Sequence, residues 1–390
     1  MYLDSFQKRE CCGCGACASV CPRNAIVMSE DNDGFRYPQI KEELCIRCNL
    51  CRKTCVFTSE PQKPTRDKLC YGLKHKDKDV IQTSRSGGAF YALAEVVIKH
   101  GGAVWGASLC EDLVVRHICV ETTEGLRKLQ GSKYVQSDME ATYPLVLRKL
   151  KAEKEVLFSG TACQIAGLIG YLNMRKIDYS KLVTCDIVCQ GVPSPKLFRE
   201  HLEYLRQKHG TEVASFNFRD ASRIGWEGHE ESYILGSGKK HFSREWSNVS
   251  HHFMRESCFA CPFAGMNRPA DITLADFWGI KEHYSEFYNE NGNSLVLINS
   301  DKGMHIFDEA KKNADIIAVE LDKVLQPRLK NPSQKPAGYD EFWRNYKEKG
   351  YLFCVKTYGR ESLKSKLVYT IKPAIRWLKH YRLLIGRGKI

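Results

Sequence analysis

The sequence lacks long apolar segments, and this absence limits where the protein can work. No run of about 18 uncharged apolar residues occurs among its 390 residues, so no segment is long enough for a membrane-spanning helix. The chain reaches Lys8, Arg9 and Glu10 without the apolar stretch of a secretory signal. We therefore expect a cytoplasmic protein.

Three common cofactor motifs are also missing. No G-x-G-x-x-G follows a predicted strand, which argues against a Rossmann-type nicotinamide site, and no G-x-x-x-x-G-K-[ST] phosphate loop occurs. The C-x-x-x-C-x-x-C triad of radical S-adenosylmethionine enzymes is absent as well. These absences exclude three frequent kinds of chemistry and turn attention to the cysteines.

A uniformly basic face is the last missing feature. The formal net charge is +13, but the final thirty residues carry eight basic side chains against one acidic one, about half of that excess. The rest of the molecule is only mildly basic. We therefore predict that nucleic acid is not a partner.

Cysteine is abundant, with eighteen residues, nine of them within the first 55 positions. Without a secretory route, such a cluster binds metal more often than it forms disulfides. The spacing C-x2-C-x2-C-x3-C occurs twice, and it is the run of bacterial ferredoxins, in which the fourth cysteine ligates the other cluster. The sequence thus predicts two 4Fe-4S clusters, one held by Cys11, Cys14, Cys17 and Cys55, and the other by Cys45, Cys48, Cys51 and Cys21.

Two alternatives remain beside this interpretation. Zinc ribbons pair two C-x2-C knuckles rather than two runs of four, and disulfides are the other use of clustered cysteines. Val56 stands where the second run would carry proline, which removes no ligand. Cys12 is surplus to both runs and needs no function as a small buried side chain.

Four later cysteines form a second pattern. Cys163 and Cys189 each follow a predicted strand, and in an α/β sheet both positions open onto the crevice at the carboxyl ends of the strands. Cys258 and Cys261 form a further C-x2-C pair before Pro262. Four thiolates from three loops are enough to close a third cluster, but spacing alone favours the alternative, a zinc knuckle with two buried free cysteines. Packing is the expected role of the remaining cysteines, which are Cys70, Cys110, Cys119, Cys185 and Cys354.

Alternating strand-like and helical patterns predict the fold class, an α+β/α/β multidomain chain. We expect a dicluster ferredoxin-like module, an α/β body, to which the family resemblance described below adds flavin binding, and a C-terminal helical tail. The predicted boundaries are 1–58 for the module, 59–68 for a linker, 69–150 and 151–320 for two body domains, and 321–390 for a basic aromatic tail.

These motifs together resemble the beta subunits of coenzyme F420 hydrogenases and F420-dependent dehydrogenases. The resemblance extends to about residue 320 and rests on six segments, which are Ser84–Ala89, Gly131–Ser137, Phe158–Gln164, Cys189–Ser194, Cys258–Cys261 and Asp271–Gly279. Members of that family bind FAD and a four-iron cluster, often with a fused ferredoxin module. The chain departs from the family pattern at Ala162, where proline is expected, and at Ala275, where glycine is expected.

The resemblance implies a site for each cofactor. It favours the third cluster at Cys163, Cys189, Cys258 and Cys261. It also favours the FAD pyrophosphate at the helix N-terminus formed by Ser84, Ser86, Gly87 and Gly88, where small residues let backbone N–H groups approach a phosphate. Alone, that segment would be a plain N-cap with a close-packed glycine pair. Lys133 is a candidate for the phosphate or flavin charge, with a solvated surface lysine as the alternative.

The predicted function is an iron–sulfur flavoprotein oxidoreductase. It would pass electrons between the clusters and FAD to or from an organic substrate, either a deazaflavin like coenzyme F420 or an intermediate of polysaccharide biosynthesis. The alternative is a non-catalytic electron-transfer subunit of a larger complex. Either function implies a redox partner protein or a small-molecule electron donor. No catalytic acid or base stands out, and Asp186, Asp276, His251 and His252 are expected to be structural.

The tail carries a separate hypothesis. Leu367, Ile371, Ile375 and Leu378 recur at helical spacing among basic residues, with a kink expected at Pro373. Residues 361–390 could therefore lie on an anionic membrane surface. The alternative is a helix docked on the body with a solvated basic face.

Overall fold

The computed structural model describes residues 1–58, 68–360, 367, 369, 371–373 and 375. The predicted linker 59–68 lies outside these residues except for Lys68. The strands in the described part are β1 (Ile26–Glu30), β2 (Arg36–Ile40), β3 (Leu69–His75), β4 (Ala103–Leu109), β5 (Val115–Val120), β6 (Val156–Thr161), β7 (Leu182–Ile187), β8 (Val213–Asn217), β9 (Glu231–Leu235), β10 (Lys240–Ser243), β11 (Ile272–Asp276), β12 (Ser294–Ile298) and β13 (Ala314–Ala318).

The helices separate these strands for most of the chain. Those in the described residues are α1 (Tyr2–Ser5), α2 (Ala16–Val20), α3 (Leu50–Thr54), α4 (Lys78–Ser84), α5 (Ala89–Lys99), α6 (Thr123–Leu126), α7 (Thr142–Lys151), α8 (Ala162–Met174), α9 (Pro195–His209), α10 (Glu245–Val249), α11 (Ile280–His283), α12 (Asp301–Ala310) and α13 (Tyr339–Tyr358).

An eight-stranded sheet forms the centre of the body. Its order is β13-β3-β12-β11-β7-β6-β4-β5, and the four neighbours β11, β7, β6 and β4 run parallel to one another. The remaining pairs in this sheet are antiparallel. The parallel strands are apolar and almost fully buried, as strands covered by helices on both faces must be. The predicted α/β body is thus confirmed as a mixed α/β fold.

The ferredoxin-type module shows its internal repeat in the backbone. Gly13 and Gly15 of the first cysteine run have φ angles of +69° and +78°, and the matching Arg47 and Asn49 of the second run have +53° and +61°. Each run then enters a five-residue helix, α2 or α3, whose C-cap is Cys21 or Cys55 in extended conformation. The β1–β2 hairpin joins the two halves.

Small residues on α8 let this module pack closely against the body. A Cβ added to Gly167 would lie 3.0 Å from the Sγ of Cys14, and one added to Gly170 would lie 3.0 Å from the carbonyl oxygen of Thr54. Helices α2 and α3 therefore approach α8 at van der Waals distance. Ala16 and Val20 of α2 join the same apolar cluster as Phe158, Ile165 and Leu168 of the body.

The chain divides into two compact units that do not follow the predicted sequential boundaries. One unit holds residues 1–198 and 254–335, and the other holds 199–253 and 336–390, so the division falls inside α9. The predicted domains 69–150 and 151–320 share the eight-stranded sheet, so position 150 is not a structural border. Strand pairing between distant segments, which sequence patterns do not report, is the physical reason.

The second unit contains the antiparallel sheet β10-β9-β8 and an aromatic core. His201, Trp246, Phe253 and Phe342 are buried in it. Helix α13 begins close to the predicted position, and its backbone is interrupted at Gly350, with φ 76° and ψ 176°.

Most of the predicted membrane-binding tail, including Leu378, lies outside the described residues. Leu367, Ile371 and Ile375 are exposed, and the predicted kink at Pro373 stays untested. No helix in the described part of the chain is both long and apolar enough to cross a membrane. Contact of residues 361–390 with a membrane surface stays a prediction.

Candidate functional site

The first predicted cluster position is a cavity in the ferredoxin-type module. The cavity is open to solvent, and its lining includes Cys11, Cys12, Cys14, Cys17 and Cys55. The two cysteine runs thus fold so that three thiols of the first run and one of the second face one space. This is the crossed arrangement that the ferredoxin spacing predicts.

Electrostatic contacts between the thiols follow the same division. Burial raises the pKa of Cys17, and the charges of Cys11 and Cys55 raise it further. Burial also raises the pKa of Cys51, with smaller contributions from Cys48 and Cys21. Cys21 therefore lies near the second run, although Cys51 also acts on Cys17 and Cys55, and the assignment of Cys21 and Cys45 to the second cluster stays a prediction.

Backbone amides point at several of these sulfur atoms. The N–H of Gly13 donates to the Sγ of Cys11 at 3.4 Å, and the N–H of Ala25 donates to the Sγ of Cys21 at 3.3 Å. At Cys189 the N–H of Gly191 plays the same part, at 3.3 Å. Such hydrogen bonds stabilise a thiolate and are among the features that set the potential of an iron–sulfur cluster.

Cys163 and Cys189 follow adjacent parallel strands. Cys163 is the second residue of α8, directly after β6, and Cys189 comes two residues after β7. The carboxyl ends of both strands therefore meet at one edge of the sheet, as predicted. The turn Glu256–Ala260 delivers Cys258 to the same edge, since a Cβ added to Gly191 would lie 3.6 Å from the Sγ of Cys258.

The four thiols at this edge act on one another. Burial raises the pKa of Cys189 to about 12, with smaller contributions from Cys163 and Cys261. Burial likewise raises the pKa of Cys261 to about 11, and Cys163 adds to it. Across the described residues, no three His, Cys, Asp or Glu side chains are arranged as ligands of a single ion, and the twelve cysteine ligands stay predictions.

Cys12 has a position that the sequence did not indicate. Its thiol is hydrogen bonded to the thiols of both Cys14 and Cys163. The contact with Cys14 and burial raise the pKa of Cys12 well above its ordinary value, and the contact with Cys163 opposes that rise. Cys12 belongs to neither predicted ligand set. It nevertheless stands directly between a predicted ligand of the first cluster and a predicted ligand of the third.

A hydrogen-bond network fixes the turn that carries Cys163. Thr161 and Gln164 form a capping box at the start of α8, and the Oγ1 of Thr161 lies 3.1 Å from the Sγ of Cys163. Gln164 also donates to Ser137 at 2.9 Å, and Ser137 contacts the Nδ1 of His117 at 2.9 Å. Burial lowers the pKa of His117 to about 4, so this imidazole is neutral at physiological pH. Ala162, one departure from the family pattern, is a buried residue of this turn.

The predicted FAD segment lies between α4 and α5 and is tightly packed. Gly87 lies against the backbone of β3 and β12, where an added Cβ would overlap the carbonyl oxygen of Leu73 and lie 2.5 Å from the nitrogen of Ser294. The hydroxyl of Ser86 donates to the carbonyl of Asn293 at 3.0 Å. Packing alone thus accounts for Gly87 and Ser86, and the packing interpretation of this segment gains support.

Ser84 and Lys133 surround a more open group of polar atoms. The Oγ of Ser84 accepts a hydrogen bond from Gln130 Nε2 at 2.9 Å, while Gln130 Oε1 is buried and has no partner among the described residues. The Nε2 of His75, against which Gly88 packs, is another buried polar atom without a partner there. Two such atoms fit a polar ligand beside this segment.

Lys133 is not the solvated surface lysine of the alternative interpretation. Its ammonium group donates to the carbonyl of Gln130 at 2.7 Å, and burial lowers its pKa to about 7. Its charge also contributes to the lowered pKa of His117, so Lys133 stands near the network that supports Cys163.

Two buried arginines were missed by sequence reasoning. Arg268 forms an ion pair with Asp186 at 2.9 Å, which gives Asp186 the structural role expected for it. Arg255 is fully buried and donates to the carbonyl of Cys11 at 2.7 Å. Neither arginine belongs to a recognisable motif, so no local signal could have found them.

Two family models match this chain, one in the body and one in the ferredoxin-type module. Residues 153–324 match the family described as coenzyme F420 hydrogenase/dehydrogenase, C terminus of the beta subunit, and residues 10–59 match the 4Fe-4S dicluster domain. The chain is 23% identical over 346 residues to a coenzyme F420-dependent sulfite reductase of Methanocaldococcus jannaschii. That alignment covers 82% of this chain and 49% of the relative, so the chain spans about half of the relative's length.

Two further proteins are similar to parts of the chain. An uncharacterised ferredoxin of the same archaeon is 32% identical over 72 residues, which are 18% of this chain and 82% of the ferredoxin. A chain of the F420-reducing [NiFe] hydrogenase complex of Methanosarcina barkeri aligns with 17% identity and a TM-score of 0.47, over 74% of this chain and 90% of that one. The two family matches agree with the motifs and with the module and body seen in the fold. Residues 153–324 therefore belong to the C-terminal domain family of the coenzyme F420 hydrogenase/dehydrogenase beta subunit, and residues 10–59 belong to the 4Fe-4S dicluster domain family.

Proposed function

We propose that this protein is an iron–sulfur flavoprotein oxidoreductase with three 4Fe-4S clusters and one FAD. The observation that carries the proposal is the convergence of Cys163, Cys189, Cys258 and Cys261 at one sheet edge, directly beside the first ferredoxin run. Four thiols from three separate loops meet where α/β proteins bind their ligands. A scattered set of packing cysteines would have no reason to meet there.

The described residues fit a third cluster in their chemistry. All four thiols are partly or fully buried, so thiolates at this edge need a cationic partner to be stable. The irons of a cluster would supply that charge, and Arg268 contributes to it at Cys189 and Cys261. The capping box at Thr161 and Gln164 holds the turn of Cys163 rigid before any ligand binds.

For FAD we propose the region around Ser84, Gln130 and Lys133 as the contact for the phosphates. Gln130 Oε1 and His75 Nε2 are buried polar atoms without a partner among the described residues. Lys133 supplies an ammonium group whose pKa burial lowers, so a nearby phosphate would stabilise its charge. A bound flavin supplies the exchange between two-electron and one-electron chemistry, and clusters pass single electrons. The charge of Lys133 acts on His117, and His117 is connected through Ser137 and Gln164 to the turn that carries Cys163.

For the substrate we propose a deazaflavin of the coenzyme F420 type. The relative from Methanocaldococcus jannaschii is described as F420-dependent, and it aligns over most of this chain. An intermediate of polysaccharide biosynthesis stays a prediction from the family resemblance alone. The same holds for a cytoplasmic location and for a separate redox partner.

The first experiment is the iron, sulfide and flavin content of anaerobically purified protein. Three clusters and a flavin require about twelve irons, about twelve sulfides and one FAD per chain. About eight irons without flavin would contradict the proposal and favour the alternative, a non-catalytic electron-transfer subunit.

Variants then connect the third cluster to its residues. Cys189→Ala and Cys258→Ala should each lower the iron content from about twelve to about eight while the dicluster domain keeps its signals. Cys110→Ala is the matched control, because this cysteine lies in the same unit but outside both predicted ligand sets. Equal iron in the Cys189→Ala variant and the wild type would rule out Cys189 as a ligand.

The substrate is tested by anaerobic mixing with reduced coenzyme F420. Bleaching of the flavin absorbance within the mixing time, with NADH at equal concentration as the control, is the expected result. Reduction by neither compound would leave the cofactor content standing and would contradict the proposed substrate.

A further inference from the structure

Arg255 is the most deeply buried cation of the described residues that join the ferredoxin-type module to the body. Its side chain is completely inaccessible. The guanidinium donates three hydrogen bonds, to the carbonyl of Cys11 at 2.7 Å, to the carbonyl of Arg36 at 3.0 Å and to Oε1 of Gln136 at 3.1 Å. Its centre lies 4.2 Å from the ring centroid of Tyr37. This one side chain therefore contacts the ferredoxin-type module, at Cys11, Arg36 and Tyr37, and the body, at Gln136.

The charge of Arg255 has no carboxylate to balance it. Among the described residues, no Asp or Glu forms an ion pair with Arg255, whereas the equally buried Arg268 is paired with Asp186 at 2.9 Å. A fully buried charge is costly unless it is paired. Carbonyl and amide oxygens satisfy the hydrogen bonds of Arg255 but leave one whole positive charge in the interior.

The largest charge effects on Arg255 come from thiols and a phenol. They are those of Cys11, Tyr37, Cys12 and Cys258, and Tyr2 and Cys163 interact with the same guanidinium. Cys11 is a predicted ligand of the first cluster, and Cys258 is a predicted ligand of the third. Arg255 also precedes Cys258 by only three positions, and its own N–H donates to the carbonyl of Val192 at 2.9 Å, which holds the Cys258 turn in place.

We infer that Arg255 is a positioning residue whose charge is balanced by the two anionic clusters at Cys11 and at Cys258, and that it raises the reduction potential of both. The inference rests on the proposed third cluster for its second half. One electron enters each cluster from an external one-electron reductant, no proton moves, and the guanidinium stays protonated throughout because its pKa exceeds about 12. A positive charge nearby favours the more negative, reduced state of each cluster.

The test is a redox titration with dithionite, followed by electron paramagnetic resonance, on the full chain purified anaerobically. Arg255→Gln should lower both midpoint potentials by at least about 59 mV, which corresponds to a tenfold change in the equilibrium constant of a one-electron reduction. Arg255→Lys keeps the charge and should keep the potentials close to those of the wild type. Arg175→Gln is the control for loss of a cation at the ferredoxin-type module, since the exposed Arg175 donates to the carbonyls of Ser19 at 3.3 Å and Val20 at 3.5 Å rather than to that of Cys11.

A second variant keeps the test decisive if Arg255→Gln loads iron poorly. Gln136→Glu places a carboxylate beside the Arg255 guanidinium, cancels its charge and should lower the same potentials. Unchanged potentials in either variant at full iron content would overturn the inference. If Arg255→Gln and Gln136→Glu lose iron while Arg255→Lys loads fully, the positive charge is required, which supports the inference. If all three variants lose iron, the hydrogen-bond geometry of Arg255 is what matters, and the inference is overturned.

The outcomes also separate this inference from the proposed function. Eight irons in the wild type would contradict the third cluster, and the potential of the cluster at Cys11 would still report on Arg255. Twelve irons with potentials that do not respond to Arg255 would refute the inference and leave the proposed function standing.

Discussion

Replacing Gly87 by alanine should destabilise the body by about 2–3 kcal/mol. A Cβ at this position would overlap the carbonyl oxygen of Leu73 and lie 2.5 Å from the nitrogen of Ser294, two residues that face each other across β3 and β12. Both atoms belong to backbone, so the strands themselves must separate, and the cost should lie at the upper end of the about 1–3 kcal/mol that overpacking usually costs. The smaller chain entropy of alanine in the unfolded state offsets less than about 1 kcal/mol of it.

Thermal unfolding, followed by circular dichroism at one scan rate, measures this effect. At about 2–4 °C per kcal/mol for a unit of this size, Gly87→Ala should melt about 4–12 °C below the wild type. Gly106→Ala is the control, because Gly106 also lies in the sheet region but an added Cβ would come no closer than 3.4 Å to its neighbours. It should change the melting temperature by no more than about 2 °C.

The same pair of variants separates packing from flavin binding. If packing explains Gly87, the loss of stability should persist in protein from which the flavin has been removed. Gly87→Ala with wild-type melting behaviour and weakened flavin binding would refute the packing argument and favour contact with the pyrophosphate.

Three other predictions follow from the geometry. Cys55→Ser should abolish the electron paramagnetic resonance signal of the cluster at the first run, and Cys21→Ser should abolish the signal of the cluster at the second run. Each variant should keep about eight of twelve irons. Loss of the same signal in both variants would disprove the crossed ligands. Asp186→Ala should cost about 3–5 kcal/mol in denaturant unfolding because it leaves the charge of Arg268 buried and unpaired, and adding Arg268→Met should recover part of that loss. Burial lowers the pKa of His201 to about 3, so between pH 6.5 and that value only the unfolded chain binds a proton at this residue. Lowering the pH from 7.5 to 5.5 should therefore reduce the free energy of unfolding by about 1.4 kcal/mol through His201. The His201→Gln variant should not show this part of the loss. Equal pH dependence of the unfolding free energy in that variant and the wild type, followed by tryptophan fluorescence, would contradict the assignment.

The predictable part of the site depended on local spacing. The repeated cysteine run is short, and left-handed residues within each loop set its geometry. Because this geometry is local, the spacing alone predicts that Cys55 lies near the first run and Cys21 near the second. The positions of Cys163 and Cys189 followed from strand ends, because parallel neighbours must finish at one edge of a sheet.

The remaining features depend on contacts between distant segments. Arg255 stands 244 positions after Cys11, and nothing near it in the sequence marks it as buried. Cys12 was treated as surplus because it fits no spacing rule, yet the fold brings it to Cys163. Lys133 is predicted as a cofactor contact only through the family resemblance, and its burial has no signal in the sequence because lysine is usually a surface residue. The two-unit division escaped prediction since residues 199–253 and 336–390 are separated by the strands β11 to β13.

The place of β3 in the sheet has a consequence for how the protein is made. β3 comes first in the body, but both of its neighbours, β12 and β13, begin only at Ser294 and Ala314. At a synthesis rate of about 5–20 residues per second, β3 waits on the ribosome for roughly ten to forty seconds before it can pair. During that interval it exposes two unpaired edges, which are templates for aggregation. A chain that terminates before Ser294 never covers them, so early truncation products should depend on holding chaperones even when both cysteine runs are complete.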